Sequence, residues 1–424
     1  MPDNCPHLTL TLSPPAPERR GNFLISIFYK DAGPDGLKYP RSAETGAGIK
    51  IQRFIACSIR VCGVVCGQIM FRALMHNYRE KSGAPVLLAA LWLCLVCAGC
   101  ETPASIARHA LEAPNRQMNM ENLFKQFAGV TTNFTIERVA VGPPPATLEL
   151  MVIEPGDYGA VMTSSISPRR VTHRGDTRTN LFRFAFDFSK VPLKPKPETN
   201  RVRGTIFLLH GYGLTKEFML PWGMILARAG YRTVLVDLRG NGQSTGDRIY
   251  FGGVERTDLV QCLDALEERR ICDGPVGALG ISYGAVLALQ WAAIDPRVQS
   301  VTAISPYPDP RTGMVDYLET YSPELSTNTD QKAADIVARE LAAKWPDLTT
   351  LTAVRGLEQP VLFVRGGHDE LCSREELSRL QAAAPKGSGV TEVPLANHLI
   401  VGMCITQLEG AVTNWFGAHL PAGF

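Results

Sequence analysis

The sequence has almost no excess of charge of either sign. Its 43 lysine and arginine residues nearly balance its 41 aspartate and glutamate residues, so the formal charge is +2. Binding to nucleic acid needs a basic patch or stripe, and the absence of long charged runs argues against a nucleic-acid partner. With 45% hydrophobic and 20% charged residues, the composition is that of a globular protein with a large core.

The eleven cysteines are unevenly placed, and seven of them fall within the first hundred residues. The cluster of Cys57, Cys62 and Cys66 has neither a nearby histidine nor a second cysteine pair, so it does not have the pattern of a zinc site. No metal is therefore expected. If the protein is exported, the later cysteines meet an oxidising environment. A bridge between Cys372 and Cys404 is then one interpretation, and buried free thiols are the other.

The N-terminal region has no apolar run of the length that a membrane-spanning helix needs, which is about 20 residues. Residues 86–96 are apolar, and they follow the basic residues Arg79 and Lys81 and precede a small pair and Cys100. This order is typical of a secretory signal and resembles the lipobox of bacterial lipoproteins, although Cys97 stands where leucine is usual. We expect residues 75–99 to be a lipoprotein-type signal and Cys100 to carry the lipid. The alternative is a core helix or an uncleaved anchor.

This interpretation predicts a lipid-anchored protein of the bacterial cell envelope, on the periplasmic or outer-membrane side, with the membrane surface as a partner. Residues 1–74 lack a sustained helical or strand period, and we interpret them as a disordered or non-native extension. Residues 100–200 would supply a linker, a helix and the first strands. Within them, residues 101–115 are expected to be flexible and residues 115–127 helical.

Residues 201–424 have the pattern of an α/β domain. Short apolar runs rich in β-branched residues, such as 204–209, 276–279 and 361–364, alternate with helical segments. Such alternation predicts a mostly parallel, doubly wound sheet with helices on both faces. Residues 307–358 form an insertion, with a helix expected at 331–344. The insertion is either a small cap over the site or an ordinary excursion that packs its own apolar face.

The sequence G-I-S-Y-G, residues 280–284, carries the strongest chemical signal. An apolar strand precedes it and a helix follows it, which is the strand–turn–helix of a nucleophile elbow with Ser282 at its tip. Three further loops follow predicted strands, and they contain His210, Asp237 and Asp369; His398 comes last. The order Ser, Asp, His is the order of a triad in an α/β-hydrolase sheet.

Together these motifs resemble the α/β-hydrolase superfamily, nearest to its serine esterase, monoacylglycerol lipase-like and serine aminopeptidase-like branches. The resemblance covers about residues 204–424 and implies the α/β-hydrolase fold. Related dehalogenases and epoxide hydrolases carry aspartate where Ser282 stands. The resemblance implies these roles: Ser282 as nucleophile, His398 as base, Asp369 as acid, and the backbone amides of Tyr212 and Tyr283 as the oxyanion hole.

Other residues compete less well for these roles. Asp309, which follows an earlier strand, and Glu370 are alternatives to Asp369. His210 is expected to anchor its loop, and His368 and Asp237 to support theirs.

The implied activity is hydrolysis of a carboxylic ester, a small-molecule acyl substrate, through an acyl-enzyme and without a metal or organic cofactor. A peptidase, an aminopeptidase and a thioesterase of the same fold are alternatives. From another class, the chain could be a non-catalytic surface lipoprotein that binds a small ligand.

Overall fold

A computed structural model of the 424-residue chain describes residues 9–13, 22–30, 102–113, 134–172, 176–187, 202–321 and 327–420. The signal segment 75–99, Cys100 and the helix expected at residues 115–127 lie outside the described residues. Within the described ranges, no helix is both long enough and apolar enough to cross a membrane.

The described strands form one large and one small sheet. In chain order they are β1 (Thr9–Ser13), β2 (Asn22–Lys30), β3 (Thr135–Val141), β4 (Ala146–Ile153), β5 (Val161–Thr172), β6 (Asp176–Asp187), β7 (Thr205–Leu209), β8 (Arg232–Val236), β9 (Val276–Ile281), β10 (Val298–Ile304), β11 (Val361–His368) and β12 (Gly389–Asn397).

The large sheet has the order β12-β11-β10-β9-β7-β8-β4-β3. Strands β7 to β12 are parallel to their neighbours among themselves, whereas β4 is antiparallel to both β8 and β3. Every residue of β7 and of β9 is buried, because both faces of a parallel sheet are covered. The predicted class is therefore confirmed, and this strand order with one antiparallel strand is that of the α/β-hydrolase fold.

The helices pack on both faces of this sheet. They are α1 (Pro103–Leu111), α2 (Leu220–Arg228), α3 (Glu255–Glu268), α4 (Tyr283–Ala292), α5 (Pro310–Tyr321), α6 (Thr327–Ala342), α7 (Thr350–Arg355), α8 (Arg374–Ala383), α9 (His398–Val401) and α10 (Ile405–His419).

Successive side chains of a strand point to opposite faces of the sheet, so the sheet divides the interior into two cores. Phe207 points to the core beneath α3, α4 and α8, and Leu208 points to the core beneath α2 and α10. We call these the first core and the second core.

The small sheet has the order β1-β2-β6-β5. The alternating apolar pattern of β6 buries Phe182 and Phe184 in the second core. Ser164 of β5 and Thr406 of α10 exchange hydrogen bonds, with distances of 2.7 Å and 3.0 Å from each backbone nitrogen to the opposite hydroxyl oxygen. Strands β1 and β2 lie within residues 1–74, for which the sequence predicts an extension outside the domain, and the division of the chain into domains stays a prediction.

The expectation of a flexible linker at residues 101–115 is wrong for residues 103–111, which form α1. Thr102 and Ser105 make a reciprocal cap: the Ser105 backbone nitrogen lies 3.1 Å from Thr102 Oγ1, and the Thr102 nitrogen lies 2.9 Å from Ser105 Oγ. Pro103 occupies the first helical position, where a proline is tolerated. Ile106 and Leu111 are buried in the first core, so packing holds the helix.

The proposed bridge between Cys372 and Cys404 is also wrong, because the four described cysteines are free and buried. Cys372 belongs to the first core and Cys404 to the second. The sheet therefore separates the two cysteines. Burial raises the pKa of the Cys404 thiol to about 12, so it stays protonated at neutral pH.

The segment between β10 and β11 contains α5, α6 and α7. The helix expected at residues 331–344 corresponds to α6, which begins four residues earlier, at Thr327. Ala333, Ala334 and Val337 are fully buried in the first core. The segment therefore packs an apolar face onto the domain, and its role as a cap over the site stays a prediction.

Candidate active site

Ser282 lies in a sharp turn between β9 and α4, with φ of 53° and ψ of −112°. A Cβ on Gly280 would lie 2.1 Å from the backbone oxygen of Gly284, and a Cβ on Gly284 would lie 2.1 Å from the oxygen of Leu209. Only glycine fits at either position. The turn therefore explains the G-x-S-x-G pattern sterically and leaves the Ser282 side chain half-buried at the carboxyl end of the sheet.

Three residues from three strand ends meet at this turn. His398 Nε2 lies 2.8 Å from Ser282 Oγ, and His398 Nδ1 lies 3.0 Å from Asp369 Oδ1. Ser282 follows β9, Asp369 follows β11 and His398 follows β12. The structure thus brings together the three residues that the sequence predicts as a triad.

Asp369 is held as a carboxylate. Its Oδ1 also accepts hydrogen bonds from the backbone nitrogens of Leu371 and Cys372, at 3.0 Å and 2.9 Å, and its Oδ2 accepts one from Ser305 Oγ at 2.5 Å. Burial by itself raises the pKa of Asp369, but the charge of His398 and these hydrogen bonds outweigh it and hold the pKa below its usual value.

The pKa of His398 is shifted in the opposite direction to that of Asp369. Burial by itself lowers the pKa of this imidazole, but the charge of Asp369 and its hydrogen bond raise it above the usual value. A carboxylate can only accept, so Nδ1 carries the proton that is donated to Asp369. In the neutral ring the lone pair is then on Nε2 and faces the Ser282 hydroxyl, which is the tautomer that a general base requires.

Tyr212 and Tyr283, the residues predicted to form the oxyanion hole, lie on two sides of the turn. Tyr283 is the first residue of α4, and Tyr212 lies in the loop after β7. Their rings meet edge to face, with centroids 6.3 Å apart. A Cβ on Gly211 would lie 3.8 Å from Ser282 Cβ, so this loop passes close to the serine, and the donor role of the two amides stays a prediction.

His210 anchors its loop. Its ring is fully buried, with Nδ1 2.8 Å from the oxygen of Gly211 and Nε2 accepting from the backbone nitrogen of Leu238 at 3.1 Å. Burial lowers the pKa of His210 to about 4. Its two nitrogens are both occupied, as expected for a loop anchor.

Asp309 has a helix-capping role. Its carboxylate accepts from the backbone nitrogen of Thr312 at 2.9 Å and from the Thr312 hydroxyl at 2.7 Å. Because Asp309 directly precedes α5, this is the geometry of an N-cap. The structure therefore does not bring this alternative acid to His398.

Asp237 lies in a buried charged cluster beside the site. Its Oδ2 is 2.7 Å from Lys216 Nζ, which also lies 3.0 Å from Glu149 and 3.1 Å from Glu217. The Gln243 backbone nitrogen donates to the same Asp237 oxygen at 2.8 Å. These contacts brace residues 237–243 as a supporting loop. In the described parts of the chain, no group of three or more His, Cys, Asp or Glu side chains is arranged to hold a metal ion.

A family model for X-Pro dipeptidyl-peptidases, the S15 family, matches residues 151–339. This range contains Ser282 and ends before Asp369 and His398. The match agrees with the strand order, the elbow and the Ser–Asp–His order described above. The chain has the α/β-hydrolase fold. It is a hydrolase of this fold.

Several curated relatives and solved structures are similar to parts of this chain. An uncharacterized 31.7 kDa protein of Escherichia coli is 24% identical over 268 residues, which is 53% of this chain and 94% of the relative. Caffeoylshikimate esterase of Arabidopsis thaliana is 31% identical over 102 residues, 22% of this chain and 29% of the esterase. An esterase of Pyrococcus furiosus has a TM-score of 0.48 at 16% identity, covering 68% of this chain and 91% of its own.

Sequence patterns did not reveal Ser305, which contacts the predicted acid. It follows β10 directly and has a φ of 54°. The one signal in the sequence was that Ser305 directly follows a predicted strand. The carboxyl ends of parallel strands meet along one edge of the sheet, where the site lies.

Proposed function

We propose that this hydrolase cleaves carboxylic esters through a triad of Ser282, His398 and Asp369. The observation that carries the proposal is the continuous array from Ser282 Oγ to His398 Nε2 at 2.8 Å and from His398 Nδ1 to Asp369 Oδ1 at 3.0 Å. An intact array of this kind also argues against a non-catalytic lipoprotein that only binds a ligand.

In the proposed mechanism, His398 Nε2 takes the proton of Ser282 as the serine oxygen attacks the ester carbonyl. Asp369 remains ionised and stabilises the imidazolium. The amides of Tyr212 and Tyr283 would bind the oxyanion, and each such donor contributes about 3 kcal/mol. His398 then gives its proton to the leaving alcohol, and a water molecule, activated in the same way, releases the acid from the acyl-enzyme.

Fluorophosphonate labelling, together with a panel of p-nitrophenyl esters of rising acyl length, tests this proposal. We expect wild-type enzyme to be labelled and to turn over at least one ester. Ser282→Ala should lose both activities while its unfolding curve is unchanged, and Ser378→Ala, an exposed serine on α8, should lose neither. Full-rate labelling of Ser282→Ala would overturn the assignment of the nucleophile.

A peptidase is the second candidate, because the S15 family model matches residues 151–339. The same assembly of nucleophile and base can attack an amide. Aminoacyl and prolyl p-nitroanilides measured beside the esters separate the candidates: a higher kcat/KM for an anilide than for every ester would favour the peptidase.

We further propose that the protein is exported and anchored to a membrane through a lipid on Cys100. The basic, apolar and small-residue order of residues 79–100 supports this proposal. Since α1 begins at Pro103, the anchor would lie very close to the folded domain. The mass of the mature N-terminus tests the proposal, and Cys100→Ser should lose acylation. An unmodified chain that begins before residue 75 and is recovered from the cytosol would refute it.

A further inference from the structure

The end of β10 lies between the strand that carries the nucleophile and the strand that carries the acid. Ile304 is its last residue, and Ser305 follows it. In the sheet, β9 pairs with one side of β10 and β11 with the other. Two consecutive residues at this end can therefore contact both ends of the triad.

Residues 304 and 305 form hydrogen bonds with residues of both neighbouring strands. The Ser282 backbone nitrogen donates to the oxygen of Ile304 at 2.8 Å, and the Ser305 nitrogen donates to the oxygen of Val364 at 2.7 Å. The Ser305 hydroxyl, fully buried, donates to Asp369 Oδ2 at 2.5 Å. This hydroxyl must be the donor, because an ionised carboxylate has no proton to give.

The backbone of Ser305 is also unusual. Its φ of 54° lies in the left-handed region, which costs a residue with a Cβ about 1–2 kcal/mol and costs glycine almost nothing. In the described residues, the non-glycine residues with positive φ include Ser282 and Ser305. A serine at such a position indicates that its side chain is used, since glycine would fit the backbone better.

We propose that Ser305 is a positioning residue for the acid of the triad. It acts through Asp369, and the inference rests on the proposed function. The four donors to Asp369 divide unequally: His398 and two backbone amides point to Oδ1, whereas Ser305 serves Oδ2. The Ser305 hydroxyl fixes the rotation of the carboxylate, so that Oδ1 stays directed at His398 Nδ1, and it draws part of the negative charge away from that contact.

Removing this hydroxyl should have two measurable effects. The buried Oδ2 loses its side-chain donor, and the carboxylate is less well fixed, so kcat falls while KM stays near its wild-type value. The negative charge of Asp369 is no longer shared with the serine, so the imidazolium of His398 is stabilised more strongly and the pKa of His398 rises. A purely structural serine would not move that pKa.

The experiment compares Ser305→Ala, Ser305→Gly and Ser300→Ala. Ser300 is the matched control, because it lies on the same strand, is fully buried and has a hydroxyl without a hydrogen-bond partner in the described part of the chain. The readouts are kcat and KM on the best ester, and the pKa of His398 by NMR of histidine-labelled protein. The labelled protein reports on His398 whether or not a substrate has been found.

We expect kcat to fall about tenfold or more in both Ser305 variants, the size of a lost hydrogen bond to a charged group, with a higher pKa of His398. Ser305→Gly should be more stable than Ser305→Ala, because glycine relieves the strained φ. Ser300→Ala should change neither kcat nor the pKa.

A wild-type kcat and pKa in Ser305→Ala would overturn the inference, and so would equal losses in Ser300→Ala. If wild-type enzyme turns over neither ester nor anilide but the pKa of His398 still rises in Ser305→Ala, the positioning role stands and the proposed function fails.

Discussion

Two buried histidines near the candidate site have opposite pKa shifts. Burial lowers the pKa of His210 to about 4, because its nitrogens meet only backbone groups. His398 is also buried, but Asp369 outweighs the burial and raises its pKa. The same side chain is therefore an anchor that is neutral at neutral pH in one loop, and a group whose pKa is raised in the other.

The first prediction concerns the pH dependence of activity. Since only neutral His398 can accept the proton of Ser282, kcat/KM should rise with pH through a limb above the ordinary imidazole value of about 6.5. Asp369→Asn removes the charge that raises the pKa, so the limb should move to lower pH and kcat should fall about 10²–10⁴-fold. Rates on one ester between pH 5 and 9 measure both effects, and a flat wild-type profile would contradict a histidine base.

The second prediction concerns His210 and stability. Its folded pKa of about 4 is below the unfolded value of about 6.5, so the unfolded chain binds the proton first as pH falls. Stability should therefore decline between about pH 6.5 and 4, by up to about 3 kcal/mol from this residue, and level off below.

Urea unfolding at pH 7 and pH 4.5 measures this decline. His210→Gln should be less stable at pH 7 and should lose less on acidification than wild type. His109→Gln, an exposed change on α1, should behave as wild type. If His210→Gln declines with pH as steeply as wild type, His210 is not the residue responsible.

At the scale of elements, the elbow depends on close backbone contact between β7, β9 and α4. Gly284 approaches the end of β7 so closely that a Cβ would lie 2.1 Å from the Leu209 oxygen and 2.6 Å from the His210 oxygen. The side chain of Ser282 is therefore placed by backbone packing as well as by its own hydrogen bond.

The third prediction follows from this contact. Gly284→Ala should lower the free energy of unfolding by about 3–5 kcal/mol and abolish fluorophosphonate labelling, because backbone atoms must move. The control is Gly410→Ala in α10, where a new Cβ meets nothing within 4 Å. That change should stabilise the protein by up to about 1 kcal/mol, since alanine favours a helix over glycine. Equal stability of the two variants would contradict the steric account.

The elements that were predicted correctly from the sequence have a strong local signal. The elbow, the strand that ends at Asp369 and the final histidine each combine an apolar run with a turn, so the parallel sheet and the meeting of three side chains could be inferred. Helix α1 was missed because its nine residues are too few for a stable isolated helix. Ser305 was missed because the sign of φ leaves no pattern in the sequence, and a position directly after a strand does not by itself identify a contact with the acid.

At the scale of the whole molecule, α1 and the two residues after it are attached to the catalytic domain by backbone hydrogen bonds. The backbone nitrogen of Ala113 donates to the oxygen of Asp247 at 3.0 Å, and that of Ile249 donates to the oxygen of Leu111 at 3.0 Å. Helix α6 packs against α1, and Arg248 forms an ion pair with Glu340 of α6. Helix α1 therefore contacts both the insertion at residues 307–358 and the loop after β8, and these three segments pack together.

The fourth prediction tests whether this attachment stabilises the enzyme as a whole. Leu111 is 3% exposed and belongs to the first core, so Leu111→Ala should cost about 2–5 kcal/mol of unfolding free energy. Its neighbour His109 is exposed, so His109→Ala should stay within about 0.5 kcal/mol of wild type. Because Leu111 does not contact the triad, kcat of the folded Leu111→Ala variant should stay at the wild-type value well below its melting temperature.

Unfolding of Leu111→Ala in urea should remain a single transition, with its midpoint at a lower urea concentration than that of wild type. A separate early transition would instead mean that α1 and α6 detach from a catalytic domain that is stable without them.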